Sequence, residues 1–138
     1  MTTRSSGFSL IELLVVVAII GILSAIGVVS YKGYISGTKK TSAKNVMLQI
    51  SLAQIEEYSN SGEYFTQVCT GSVPSVDTSL EIETDLFGGG DQISKDVGYE
   101  MCIISSGTSY IIKALKDGTE GECSLQLTQN GAWTEENC

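Results

Sequence analysis

Glu12 is the only charged side chain in residues 8–29, FSLIELLVVVAIIGILSAIGVV, a run of 22 residues dominated by Leu, Ile, Val and Ala. An ionised carboxylate without a partner in an apolar medium costs several kcal/mol, so its position demands a cationic neighbour. Five residues upstream, the Gly7-Phe8 bond separates a polar leader, MTTRSSG, from the apolar run. Hydrolysis there would leave the whole run on the mature chain and create on Phe8 an α-amino group, largely protonated at neutral pH. Within one helix that amine and Glu12 are neighbours. Between helices stacked with an axial offset, the amine of one chain meets the carboxylate of another, and the buried pair then sets register.

The remaining reactive side chains point away from catalysis. There is no histidine, which removes Ser-His-Asp and Cys-His chemistry together with the commonest transition-metal ligand. Cys69, Cys102, Cys123 and Cys138 form no CxxC pair, which argues against zinc ribbons and thioredoxin-like sites. An even number of cysteines in a small domain behind a membrane span fits disulfides made in an oxidising compartment. Four cysteines allow three pairings; Cys123 with Cys138 is preferred because it closes a short C-terminal loop, leaving Cys69 with Cys102. Glu81, Glu83, Asp85, Asp91 and Asp96 lack EF-hand spacing and read as a solvated acidic loop, so no metal ligand is assigned. Gly88-Gly89-Gly90 lacks the Lys-Ser/Thr of a phosphate loop, and the adjacent pairs Glu56-Glu57 and Glu135-Glu136 cannot face one substrate. No catalytic residue and no cofactor are expected. Tyr31, Tyr34, Tyr58 and Phe65 read as packing residues.

As a helix, residues 8–29 reach about 33 Å, enough to cross a hydrocarbon core of about 30 Å. The leader, with Arg4 and no small-residue cleavage site after the apolar run, is unlike an ordinary secretory signal. Beyond the span, Lys32, Lys39, Lys40 and Lys44 form a basic run, with no acidic residue between Glu12 and Glu56. From Asn45 onward 15 acidic residues stand against Lys95, Lys113 and Lys116, a local balance of −12 within a chain of net charge −8. Such a head repels phosphate backbones, so direct nucleic-acid binding is disfavoured. The four lysines fit either anionic headgroups at the membrane exit or a solvated helix face and subunit contacts.

The helical pattern continues to a stop at Asn60-Ser61-Gly62. Val46, Ile50 and Ala53 form one apolar stripe, and Leu48, Leu52 and Ile55 form another on nearly the opposite face. Two stripes predict a helix packed on its own sheet and against other subunits. Residues 63–96 show little periodicity and read as a connecting segment, with loop signals at Gly71, Pro74 and Gly88. Strand patterns follow at 99–104, 109–115 and 123–128, with turns at Ser106-Gly107, Asp117-Gly118 and Asn130-Gly131. The expected class is α+β: a long N-terminal helix packed on an antiparallel meander of three or four strands.

Residues 7–26, GFSLIELLVVVAIIGILSAI, closely resemble the N-terminal signature of type IV pilins and the related pseudopilins. The resemblance covers roughly the first 35 residues. It implies a leader, 1–7, removed after Gly7 by a prepilin peptidase that also methylates Phe8; a membrane-spanning and filament-core segment, 8–29; and a periplasmic or extracellular head, 30–138. It also implies a role for Phe8 and Glu12 in assembly, and a homo-oligomeric helical filament built by a pilus assembly machinery. The prepilin would wait in the inner membrane before becoming a surface fibre for adhesion, motility or DNA uptake. The alternatives are a pseudopilin of a type II secretion system and a minor pilin whose head binds ligand at the fibre tip. The resemblance associates major pseudopilins with a calcium loop and usually no disulfides, so four cysteines favour a pilin. Many pilins carry proline where this chain has Val29, and the helix breakers here are Gly21 and Gly27, each costing about 1 kcal/mol against Ala in a helix interior.

Overall fold

The structure, a computed structural model, describes residues 6–67, 69, 71, 73–90, 93–105 and 108–138. Arg4, Asp91 and the Ser106-Gly107 turn, singled out above, lie outside the described residues. The elements are α1 (Leu10–Ser61), α2 (Val76–Phe87), a single wide helical turn (Ile93–Val97), β1 (Tyr99–Ser105), β2 (Tyr110–Lys116), β3 (Ser124–Thr128) and β4 (Trp133–Glu136). The chain divides into two compact units, one up to Gly37 and one from Thr38 to Cys138.

The second unit is built on a four-stranded antiparallel sheet in the order β1-β2-β3-β4, so every connection is a simple reversal. At the β2-β3 reversal both Asp117 and Gly118 have positive φ, 51° and 65°. A Cβ on Gly118 would come within 3.1 Å of Glu100 Cγ, which makes glycine the fitting residue there. Met101 and Ile103 of β1, Ile112 and Ala114 of β2, and Leu125 and Leu127 of β3 are buried in one core with Ala43, Met47 and Ile50 of α1. In β2 the intervening Ile111 is exposed, as period-two alternation requires for a sheet with one covered face.

The buried line on α1 is Ala43, Met47, Ile50 and Gln54, with spacings of four, three and four that keep it on one helix face. It runs alongside the expected stripe and shares only Ile50 with it; Val46 packs at its margin. Gln54 was illegible as a core residue because it is polar. Its amide is satisfied by the chain just past the helix: Nε2 donates to the Phe65 carbonyl (3.2 Å) and Oε1 accepts from the Phe65 N–H (2.8 Å). The second stripe stays outside, with Leu48, Leu52 and Ile55 at 47, 67 and 56 % exposure. The helix stops at Ser61, where Gly62 adopts φ +82° and donates its N–H to the Tyr58 carbonyl (2.9 Å).

The segment 63–96 corrects the sequence reading, since it contains the 12-residue α2. Its boundary signals are present: Ser75 Oγ accepts from the Thr78 N–H, Thr78 Oγ1 accepts from the Ser75 N–H, and left-handed Gly88 closes the C-terminus. The apolar period is absent because the inward face is polar, with Thr78, Ser79 and Glu83 buried beside Ile82. Those polar groups lock α2 onto the outer edge of β1. Thr78 Oγ1 donates to the Met101 carbonyl (2.7 Å), and Ser79 Oγ accepts from the Met101 N–H (2.9 Å) while donating to Glu100 Oε2 (2.5 Å). Gln67 Oε1 accepts from the Ile103 N–H (2.9 Å). Edge groups that would otherwise invite another strand are thereby used within the head.

Two disulfides complete this unit. Cys69–Cys102 (Cα–Cα 5.7 Å) ties the segment after α1 to β1, and Cys123–Cys138 (4.5 Å) ties the segment after β4 to the start of β3. Replacing Ser79 by Ala deprives the Met101 N–H of its acceptor. The substitution should cost about 1–3 kcal/mol, read as a lower denaturant midpoint of the oxidised chain with both disulfides intact.

Candidate assembly site

Glu12 stands on the first turn of α1, and its setting follows from the four residues before the helix settles. Ser9 is the N-cap: its carbonyl accepts from the Leu13 N–H (3.2 Å) and its Oγ accepts from the Glu12 N–H (3.3 Å). In return Glu12 Oε2 accepts from the Ser9 N–H (2.8 Å). The pair is a reciprocal capping box, legible as Ser-x-x-Glu in the sequence yet overlooked above in favour of an intermolecular partner. The carboxylate lies on the first turn of α1, at the positive end of the helix dipole. Gly7 and Phe8 precede the cap in irregular backbone, and Phe8 is 91 % exposed. The Gly7-Phe8 bond therefore lies outside the helix.

From Leu10 to Val29, fourteen Leu, Ile and Val side chains are each more than half exposed, and among the described residues of the first unit none is buried. Such a surface requires an apolar surrounding. Length and composition suffice for a membrane crossing. Ser24 Oγ is satisfied inside the helix by donating to the Ile20 carbonyl (2.7 Å). Gly21 and Gly27 have nothing within 4 Å of where a Cβ would stand, and α1 continues through both and through Val29 without a break. Among the described residues no packing contact accounts for these glycines.

Two of the four lysines have work in the head. Lys40 Nζ lies 2.5 Å from Glu135 Oε2, and Lys44 bonds the other oxygen of the same carboxylate while sitting 5.3 Å from the centroid of the Trp133 ring. This fastens β4 to α1, a use of the basic run that the sequence did not reveal. The hydrogen bonds from Lys40 and Lys44 hold the Glu135 carboxyl below the usual carboxylate range. The cysteines lie in the head as two disulfides, apart from Gly7, Phe8 and Glu12 in the chain. Among the described residues no group of three His, Cys, Asp or Glu side chains gathers as a metal site. The arrangement offers an apolar helix with one placed carboxylate, which is the chemistry of association.

Comparison with known proteins points the same way. The family profile described as "Prokaryotic N-terminal methylation motif" matches residues 2–28. The chain is 33 % identical over 129 residues to the type IV major fimbrial protein FimA of Dichelobacter nodosus, covering 93 % of this chain and 69 % of that one. It is 35 % identical over 75 residues to a fimbrial protein of Neisseria meningitidis serogroup A, covering 54 % of this chain and 44 % of that one. It is 39 % identical over 61 residues to the type IV major pilin protein PilA of Myxococcus xanthus, covering 44 % and 28 %. The chain thus spans less than half the length of the meningococcal and myxococcal relatives. No solved structure matches. The chain belongs to the type IV pilin family.

The lowered Glu135 pKa has a defined pH signature. Its contribution to stability is fully present above the ordinary carboxylate value, about 4.3, and is lost as pH falls through the lower folded-state value. Thermal unfolding of wild type and Glu135→Gln across acidic pH should show a constant difference in Tm above about pH 5 that shrinks as pH falls below about 4.

Proposed function

We propose that this chain is a structural subunit of a type IV pilus. The observation that carries the reading is the apolar N-terminal helix, whose described Leu, Ile and Val side chains are more than half exposed from Leu10 to Val29 and which bears one carboxylate at its first turn. In the proposed sequence of events a prepilin peptidase cuts after Gly7 and methylates Phe8 while residues 8–29 span the inner membrane. The assembly machinery then moves the helix from lipid into a bundle of identical helices. Membrane and filament core are both apolar, so transfer between them is decided by helix packing and by the partner Glu12 finds.

In the membrane the carboxylate has the Ser9 N–H; in the fibre it gains the α-amine of a neighbouring Phe8. Exchange of a neutral donor for a cation strengthens the bond it makes. Gly21 and Gly27 serve either as close-approach points between helices or as the place where α1 yields in the fibre. The second role is proposed here, because each glycine weakens helix without any packing benefit inside the subunit.

Glu12→Ala should leave Gly7 processing intact, read by the mass of the membrane-held chain, and lower the yield of sheared filaments at least about tenfold. Abundant normal filaments from that variant would overturn the role given to Glu12. A filament density map should show loss of regular helix centred near Gly27; unbroken helix from Gly21 to Tyr34 would remove that part of the proposal.

A further inference from the structure

We propose that the outer face of α2 docks onto the Lys39-to-Lys44 stretch of α1 in a second copy of this chain, a lateral head-to-head contact that rests on the filament reading above. The inner arc of α2 is occupied by Thr78, Ser79, Ile82 and Glu83. The outer arc carries two adjacent rows. Val76, Leu80 and Phe87, at 53, 40 and 36 % exposure, fall within an arc of about 40° at 100° per residue. Beside them Asp77, Glu81 and Asp85 are exposed at successive i, i+4 positions.

That acidic row works against α2 as an isolated helix. Like charges four residues apart repel, and Asp85 lies toward the C-terminal end, where the helix dipole disfavours an anion. Among the described residues none of the three carboxylates has an ion-pair partner. A cation brought by another molecule would remove this penalty and cover the apolar row in the same contact.

The same head carries the complement. Lys39 is exposed, and Lys40 and Lys44 share the single carboxylate of Glu135, so the stretch holds more positive charge than the ion pairs among the described residues neutralise. Trp133, under the Lys44 ammonium, and Leu48 supply exposed apolar area beside it. The two patches are different surfaces: α2 is bonded to β1, whereas Lys40 and Lys44 are held at β4 by Glu135 and Trp133, and the Lys39 side chain runs past Gly98, just ahead of β1. A contact between two different surfaces is heterologous, and repeated from copy to copy it gives an open helical array when its rotation does not close into a ring.

The test is charge reversal in cells that shed filaments. Asp85→Lys and Lys39→Asp should each lower sheared-filament yield about tenfold, and the double reversal should restore it to within about threefold of wild type. Asp85→Asn, which removes the charge without reversing it, should give an intermediate loss and guards against a folding defect in the lysine variant. Wild-type yields from all single variants, or a double variant no better than its worse parent, would overturn the docking. Wild type and Glu12→Ala in the same assay report separately on the filament reading. Wild-type filaments that are indifferent to both reversals sink the docking alone, and the absence of wild-type filaments sinks both.

Discussion

A helix with fourteen exposed aliphatic side chains in its first 20 residues has no stable place in water. Burial of one such side chain is worth about 1.5–3 kcal/mol, so solvent exposure of the whole face would exceed the entire stability of a typical domain. The segment needs an apolar environment, and the rest of the molecule is arranged around that restriction. The head has to fold without drawing on this surface. It does so with Ala43, Met47, Ile50 and Gln54 of α1, which lie beyond the apolar run in the chain.

A single carboxylate inside such a segment is tolerable because the capping box with Ser9 removes part of its cost before any partner arrives. The same geometry holds Glu12 at the helix N-terminus, beside the position where cleavage after Gly7 would place an amine. The residue caps the start of α1 through Ser9 and carries the one charge of the apolar run.

The head is small, and polar side chains carry work that a larger core would do. Gln54 fastens the chain after α1, Ser79 and Thr78 fasten α2 to β1, and Glu135 fastens β4 to α1. Two disulfides limit the unfolded ensemble at the segments with least apolar burial. The outer edge of β1 has backbone groups engaged by α2 and Gln67, which discourages strand addition there, while β4 is fastened to α1 through the Glu135 side chain.

The sequence alone determined what depends on local pattern. The apolar run, the glycine boundary, Glu12, the end of α1 at Gly62 and the meander all follow from composition, period and turn residues, which need no partner to be read. The structure decided what depends on who meets whom. Helix α2 was hidden because polar Thr78, Ser79 and Glu83 share its buried face with Ile82 while Val76, Leu80 and Phe87 stand outside, which blurs the period used to find helices. The lysine run looked free until Glu135, 91 residues beyond Lys44, was brought beside it by the return of β4. Glu12 is where the two meet: its charge was legible from its neighbours in sequence, but its first partner, the Ser9 N–H, is set by where the helix begins.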